Sequence, residues 1–331
     1  MQYRPSEAKA WGREKLLGQW TTMVTPFTPD DTIDEAGLAA NIEHVLRLGT
    51  RGMGFSWNMG EFWSLTQAER LRLMEAVPPL VRGRALTAFQ VTHTSAAEVV
   101  ALARRAAEVG FDFVILGSPY MMAKTEEQVL DFVRRVADRV EIGIAFYNSP
   151  QFGITLSARA LTKIAENPKV LAIKEASFNL QTSIDTHLQA GAKAVISTPD
   201  EEIFFFEEYY GFHQQVMFAN TSDWRFDTPE VHHYVPFIDL ATSGRLAEAK
   251  RLYPKVWPAK ELSRRWWSRI AARTGGALPV QMVKFWGELL GLHGGPVRPP
   301  LAPLTREEME ELRRDVATIL PLRAPAIAPA P

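Results

Sequence analysis

The chain has 331 residues, of which 46% are hydrophobic and 23% charged, a composition typical of globular proteins that bury a large core. Its 37 basic and 38 acidic residues give a formal net charge of −1, which offers no electrostatic reason to expect nucleic acid or an anionic membrane as a partner. The absence of cysteine excludes disulfides, thiolate catalysis, iron–sulfur clusters and cysteine-bound zinc.

The first segment, residues 1–18, is polar and charged, and we predict that it forms an N-terminal extension. It lacks the apolar stretch of a secretory signal, and no apolar run in the chain approaches the roughly 18 residues of a membrane span. The sequence therefore predicts a cytoplasmic protein with neither nucleic acid nor membrane as a partner.

Eight short apolar runs follow, rich in β-branched or aromatic residues and bounded by Gly, Pro, Asp or Lys. Such runs are typical of parallel strands that are buried on both faces. The predicted strands are residues 20–25, 52–57, 85–91, 112–117, 142–147, 170–175, 193–198 and 215–220.

Between these runs, apolar residues recur at three- and four-residue spacing, which predicts amphipathic helices. The clearest are residues 35–49, 66–81, 95–110 and 125–140. Four residues are predicted helix N-caps, namely Thr66, Ser95, Thr125 and Ser157, and two glycines, Gly49 and Gly110, lie where helices should end.

Strands that alternate with helices over residues 19–240 predict an α/β fold, a (β/α)8 TIM barrel. A doubly wound open sheet is the competing fold, although no G-x-G-x-x-G follows the first strand. Residues 241–321 are predicted to form a helical region, and the Pro/Ala-rich tail, residues 322–331, is predicted to be disordered.

Lys174 closes the apolar sixth strand, at the end of the barrel where reacting residues are found. A lysine surrounded by apolar barrel wall has a lowered pKa, which frees its amine as a nucleophile toward carbonyl groups. The alternative is a solvated lysine that pairs with Glu175.

Tyr147 closes the preceding strand, so the two side chains are predicted to meet over the barrel mouth. A phenol in that position is suited to moving protons to and from a carbonyl-derived intermediate. The alternative is a tyrosine that only packs at the rim.

A turn follows the second strand at residues 58–61. Asn58 and the backbone N–H groups of Met59 and Gly60 are predicted to hold a carboxylate, and the alternative is an ordinary βα turn. Glu61 is either part of that site or a structural carboxylate that accepts backbone N–H bonds.

The histidines show no spacing typical of a metal site, and we predict none. His44 and His187 fall within helical patterns and are interpreted as surface or packing residues. His232 and His233 are adjacent and point to different sides of a helix.

Lys174 in AIKEAS, Tyr147 in FYNSP and the turn ending in Gly60-Glu61 together resemble the dihydrodipicolinate synthase / N-acetylneuraminate lyase superfamily. The resemblance covers residues 18–315. It includes GQWTTMVTPFTPDDTID near the start and RPPLAPL late in the chain.

This resemblance implies a (β/α)8 barrel in which Lys174 forms a Schiff base with pyruvate or a related 2-oxo acid. The iminium then serves as an electron sink for aldol cleavage, aldol addition or dehydration, with Tyr147 as the proton shuttle. The resemblance further implies that no cofactor is needed, that the turn after strand two holds the carboxylate, and that the protein is a homotetramer.

The chain departs from the family pattern at three places. The family turn is Gly-Thr-Thr-Gly-Glu, whereas this chain has Trp57-Asn58-Met59-Gly60-Glu61. Met121 replaces a second tyrosine, and Gln151-Phe152-Gly153 stands where the synthase has an arginine. These departures argue against a dihydrodipicolinate synthase.

Apolar residues concentrate on the loops expected at the barrel mouth, which predicts an apolar substrate pocket. They are Trp57, Met59, Phe62, Met121, Met122, Phe152 and Trp224. The alternative is that these residues fill the core or a subunit interface.

The sequence resembles most the hydratase-aldolases of trans-o-hydroxybenzylidenepyruvate, which share a Gly-x-Trp-Thr opening. The leading hypothesis is therefore a Schiff-base lyase that cleaves, or hydrates and cleaves, an apolar 2-oxo acid to pyruvate and an aldehyde. A 2-keto-3-deoxy sugar acid dehydratase or aldolase is the second hypothesis, and a non-catalytic 2-oxo acid-binding barrel is the third. The polar candidates for sugar hydroxyls are Ser118, Thr198, Asn220, Thr221, Ser222 and Asp223.

Overall fold

The computed structural model describes residues 3–323 and contains a barrel of eight parallel strands. The strands are β1 (Gly18–Thr22), β2 (Gly52–Phe55), β3 (Leu86–Gln90), β4 (Phe113–Gly117), β5 (Ile144–Asn148), β6 (Val170–Glu175), β7 (Val195–Ser197) and β8 (Val216–Phe218). From β1 to β7 each strand pairs with the next one in sequence, and β8 returns to pair with β1. Between β7 and β8 the Phe218 N–H donates to the Ser197 hydroxyl at 2.8 Å. The TIM barrel is confirmed over the open sheet, because an open sheet would leave β1 and β8 unpaired with each other.

Helices alternate with the strands and then continue beyond β8. They are α1 (Ala8–Lys15), α2 (Glu35–Arg47), α3 (Gln67–Val81), α4 (Ala96–Val109), α5 (Glu126–Ala137), α6 (Ala158–Glu166), α7 (Leu180–Ala190), α8 (Glu207–Tyr210), α9 (Ser222–Phe226), α10 (Tyr234–Thr242), α11 (Leu246–Arg273), α12 (Val280–Leu289) and α13 (Arg306–Ala317). The four predicted N-caps each accept a backbone N–H at the start of their helices. Gly110 ends α4 with a positive φ of 102°.

The N-terminal extension closes the end of the barrel opposite the strand C-termini. The Tyr3 hydroxyl donates to the Asp112 carbonyl at 2.7 Å and accepts the Gly143 N–H at 3.0 Å. Helix α1 packs on β6, where a side chain at Gly12 would meet the Leu171 Cβ at 3.2 Å. The described part of the predicted extension is therefore packed against the barrel. No helix within residues 3–323 is long and apolar enough to cross a membrane.

Helices α11–α13 cover one side of the barrel and reach its mouth. The Trp266 indole N–H donates to Asp315 at 2.9 Å, which joins α11 to α13. The predicted boundary at residue 240 falls inside α10, the second helix after β8. Residues 324–331, most of the predicted tail, lie outside the described residues.

Candidate active site

Lys174 and Tyr147 occupy paired positions at the C-terminal ends of β6 and β5. The Lys174 Nζ lies 4.9 Å from the centre of the Tyr147 ring and 4.7 Å from the centre of the Trp57 ring. All three side chains are buried. The predicted meeting of Lys174 and Tyr147 over the barrel mouth is confirmed, and Trp57 completes the enclosure of the amine.

The Lys174 amine has neutral partners. Its Nζ donates to the Asn220 side-chain oxygen at 3.2 Å and to the Ala219 carbonyl at 3.5 Å. Burial lowers the pKa of Lys174 from its ordinary value of 10.5 to about 7, because the charged form loses its hydration. At neutral pH, Lys174 is therefore a neutral, nucleophilic amine in a large fraction of the protein molecules.

Glu175 does not pair with Lys174, so the alternative interpretation of the lysine is wrong. Successive side chains of a strand point to opposite faces, which turns Glu175 out of the barrel interior. There it accepts hydrogen bonds from the Asn148 amide at 3.2 Å, from the Ser177 N–H at 3.0 Å and from the Ser183 hydroxyl.

Tyr147 is held as a neutral phenol. Burial raises its pKa to about 12, and the Ser149 hydroxyl opposes this rise only in part. Phe152 packs edge-on against the Tyr147 ring, with the ring centroids 5.4 Å apart. Gly117 makes room for this contact, because a Cβ there would lie 2.5 Å from the Phe152 ring. Tyr147 can therefore donate a proton in a fixed direction.

Trp57 folds back over β2, since Gly54 leaves space for its indole. A Cβ on Gly54 would lie 2.3 Å from the Trp57 ring. The indole Nε1 is buried and has no hydrogen-bond partner among the described residues. Trp57 therefore presents both an aromatic face and an unused donor close to the amine.

The turn after β2 forms one 3-10 turn at Asn58–Gly60. The Gly60 N–H donates to the Trp57 carbonyl at 2.8 Å, which corrects the prediction that it binds a carboxylate. The Asn58 Oδ1 accepts from Gln90 at 3.3 Å, while its Nδ2 is buried and lacks a partner in the described part of the chain. Asn58 Nδ2 and the Met59 N–H remain as the candidate donors to a carboxylate.

Glu61 anchors this turn to the C-terminal region. Its carboxylate forms an ion pair with Lys284 of α12 at 2.5 Å, and both side chains are fully buried. Its second oxygen accepts the Arg298 N–H at 3.0 Å. The structural interpretation of Glu61 therefore holds: it fixes the position of Asn58 and Met59.

The predicted residues that line one cavity around the amine are Trp57, Asn58, Met59, Tyr147, Lys174 and Asn220. Sequence reasoning missed the other lining residues, Thr22, Gln151, Phe178, Trp267 and Leu278. The cavity volume is about 10 Å³, which is room for one water molecule. A 2-oxo acid is larger than this space, so it can enter only if lining side chains move aside. Phe178 is the exposed apolar side chain of the lining, at 68% exposure, and is therefore the apolar side chain that packing restrains least.

Four predicted substrate-binding residues are not among the residues that line the cavity, namely Gly60, Met121, Phe152 and Trp224. Trp224 is fully buried between the barrel and α12, where its ring packs against Gly287. Its indole N–H donates to the Thr22 carbonyl at 3.4 Å. The cause is the short helix α9, which starts directly after β8 and turns the indole outward. Met121 adopts a positive φ of 74° in the turn after β4 and is 70% exposed.

His44 and His187 serve packing, as one of the two predicted interpretations had it. His187 stacks on Phe212 with a centroid distance of 4.4 Å and hydrogen-bonds to Thr198, and His44 is buried on α2. Within residues 3–323 no three histidine, aspartate or glutamate side chains form a group suited to a metal ion.

Comparison with known proteins gives one consistent family. The model of the dihydrodipicolinate synthetase family matches residues 15–319. A 4-hydroxy-tetrahydrodipicolinate synthase from Methanothrix thermoacetophila is 27% identical over 304 residues, which cover 91% of this chain and 96% of that protein.

Solved structures of the same family share the fold. A dihydrodipicolinate synthase from Aquifex aeolicus superposes with a TM-score of 0.79 at 21% identity, covering 93% of this chain and 99% of that one. A prophage protein of the family from E. coli K12, solved in complex with pyruvate, superposes with a TM-score of 0.77 at 21% identity, covering 92% and 98%.

Proposed function

Because the chain belongs to the dihydrodipicolinate synthetase family, we propose that it is a Schiff-base lyase in which Lys174 condenses with the keto group of a substituted 2-oxo acid. The observation that carries this proposal is the buried, neutral amine of Lys174 facing the phenol of Tyr147. A buried lysine with a lowered pKa, next to a proton donor at a barrel mouth, fits nucleophilic attack on a carbonyl.

In the proposed reaction, the Lys174 amine adds to the keto carbon, and Tyr147 supplies the proton with which the oxygen leaves as water. In a 4-hydroxy-2-oxo acid the resulting iminium at C2 draws electrons from the C3–C4 bond, while the Tyr147 phenolate takes the proton of the 4-hydroxyl. Cleavage of the C3–C4 bond releases an aldehyde and leaves an enamine on Lys174. Protonation of the enamine and hydrolysis of the iminium then release pyruvate and restore the amine.

The lining of the site supports an apolar, aryl-bearing substrate. Trp57, Met59, Phe178, Trp267 and Leu278 face the Lys174 cavity, although Met121 and Trp224 do not. For an arylidene-pyruvate, water would first add to the aryl-bearing carbon of the conjugated iminium, and the cleavage would follow. Asn58 and the Met59 N–H would hold the carboxylate, with Phe152 supporting Tyr147.

Substrate choice is tested by comparing the turnover of benzylidenepyruvate with that of a 2-keto-3-deoxy sugar acid. We expect benzylidenepyruvate to give the larger kcat/KM, because a polyol would leave its hydroxyls unpaired against aromatic walls. A larger value for the sugar acid would favour the second hypothesis, for which Thr198, Asn220 and Ser222 line the neighbouring cavity.

The proposal includes a homo-oligomeric, cytoplasmic enzyme, and sedimentation velocity tests its oligomeric state.

The pH profile of kcat/KM should have its acidic limb near pH 7. Below the pKa of Lys174 the amine is protonated and cannot attack, so kcat/KM should fall about tenfold per pH unit there. Above about pH 7 the amine is neutral and the profile should flatten. A limb near pH 10, where an ordinary lysine titrates, would contradict the proposed role of burial.

A further inference from the structure

A second, larger cavity adjoins the Lys174 cavity. Its volume is about 610 Å³, and it lies above the ends of β6, β7 and β8, under α11. Phe178, Asn220 and Trp267 line both cavities. Asn220 also accepts the hydrogen bond of Lys174, so the two cavities meet next to the amine. A substrate bound to the amine can therefore extend into the second cavity.

Arg225 lies in the wall of the second cavity as a buried cation without an acidic partner. It is only 2% exposed and forms no ion pair within 4.0 Å among the described residues, although the charges of Glu201 and Asp223 act on it from further away. Its Nε donates to Thr221 at 2.8 Å and its Nη1 to the Ser263 hydroxyl at 2.7 Å. Nη2 forms no hydrogen bond within residues 3–323. Arg225 is one of the residues that line the cavity.

The charge of Arg225 persists despite its burial. Burial lowers its pKa to about 10, so the guanidinium is still protonated at neutral pH. Its flat faces lie 5.0 Å from the Phe226 ring and 5.5 Å from the Trp286 ring, which offsets part of the lost hydration. A buried charge normally has an anion beside it, and Arg225, which lines the cavity, has none within ion-pair distance in the described chain.

The other cations of this cavity are already paired. Lys260 contacts the carboxylates of Asp200, Glu201 and Glu202 at 2.9, 2.9 and 2.6 Å. Arg264 pairs with Glu261 at 2.9 Å. Of the three basic residues that line the cavity, Arg225 is therefore the one without an ion pair in the described chain.

We propose that Arg225, with the hydroxyls of Ser222 and Ser263, forms an anion subsite that binds a carboxylate at the distal end of the substrate. The inference rests on the proposed function, in which the proximal keto group reacts with Lys174. The aromatic spacer between the two ends would lie along Phe178 and Trp267, which border both cavities. The preferred substrate class is then an aryl 2-oxo acid that carries a second carboxylate on its ring.

The test compares 4-carboxybenzylidenepyruvate with its 4-carboxamide analogue, which has the same shape and no ring charge. We expect the wild type to favour the carboxylate in kcat/KM by about 10- to 100-fold, the range for a charge-assisted hydrogen bond. Arg225→Met should reduce this ratio to about one. Arg264→Met, a change in an exposed and paired arginine of the same cavity, should leave the ratio unaltered.

Two further measurements keep the outcomes distinct. A borohydride-reduced pyruvate adduct on Lys174 of the Arg225→Met variant shows that this variant is folded. If the variant does not fold, Ser222→Ala and Ser263→Ala take its place, and each should lower the ratio of the two kcat/KM values. A folded wild type with equal kcat/KM for the two substrates would overturn the subsite. If neither substrate is turned over, the proposed function fails, and calorimetric titration with terephthalate decides the subsite: binding that Arg225→Met abolishes supports it, and no binding to the wild type overturns it.

Discussion

Replacing Lys174 with methionine is expected to abolish turnover of any 2-oxo acid substrate, with kcat/KM falling by at least about 1000-fold. Methionine fills nearly the same volume in the buried site but offers no amine to form the iminium. No other group that lines the cavity can replace this nucleophile, because the remaining lining side chains are amide, hydroxyl, thioether, aliphatic or aromatic groups.

The covalent intermediate can be measured directly. Pyruvate with sodium borohydride should add to the wild type the mass of one pyruvate less one oxygen atom, and peptide mapping should place the adduct on Lys174. Lys284 is the matched internal control, because it is equally buried but paired with Glu61. An adduct on the Lys174→Met variant would contradict the proposed role of Lys174. No adduct on the wild type, with pyruvate or with larger 2-oxo acids, would contradict the lyase and favour the non-catalytic barrel.

The same variant should be more stable than the wild type at and below neutral pH. Lys174 loses its proton at about pH 7 in the folded chain and near its ordinary value of 10.5 in the unfolded chain. Between those values the unfolded state binds more protons, so the free energy of unfolding rises with pH across this interval. Lys174→Met removes the cost of burying an amine, which is largest below about pH 7, and thermal unfolding at pH 6.5 measures the gain.

The barrel was predictable from the chain because its strands are buried on both faces. Each of the eight predicted runs contains an observed strand or all but one or two residues at one of its ends, as in β1 at Gly18–Thr22 against 20–25 and β5 at Ile144–Asn148 against 142–147. The helix starts followed from capping chemistry, which acts within four residues of sequence. The pairing of Tyr147 with Lys174 also followed, since parallel neighbours end at one level.

What could not be predicted depends on contacts between distant segments. Trp267 reaches the Lys174 cavity because α11 folds over the mouth, and nothing in the local sequence of an amphipathic helix tells which face meets a site. Leu278 lies in the segment between α11 and α12 and reaches the cavity through the same fold. Trp224 was wrongly placed at the mouth because its direction depends on the turn between β8 and α9. Arg225 was missed because its lack of an acidic partner becomes visible only once every neighbour is placed.

The second large effect is expected for Tyr147→Phe, which should lower kcat by roughly 100- to 10,000-fold, the range for a lost general acid–base group. The phenylalanine ring keeps the contacts with Phe152 and Trp57, so the geometry around the amine should persist. Only the phenol hydroxyl is removed, and with it the group that moves protons to the departing oxygen.

Adduct formation and turnover should therefore separate in this variant. The Lys174 amine is unchanged, so borohydride should still trap pyruvate on it after long incubation, whereas cleavage should be slow. Tyr120→Phe is the matched control: Tyr120 packs on Phe62 with a centroid distance of 6.1 Å but does not line the Lys174 cavity, so its loss should change kcat little. If Tyr147→Phe retained wild-type kcat, the phenol would be a packing residue at the rim. The proton would then have to come from solvent, because the N–H groups of Asn58 and Trp57 are too weakly acidic to release one.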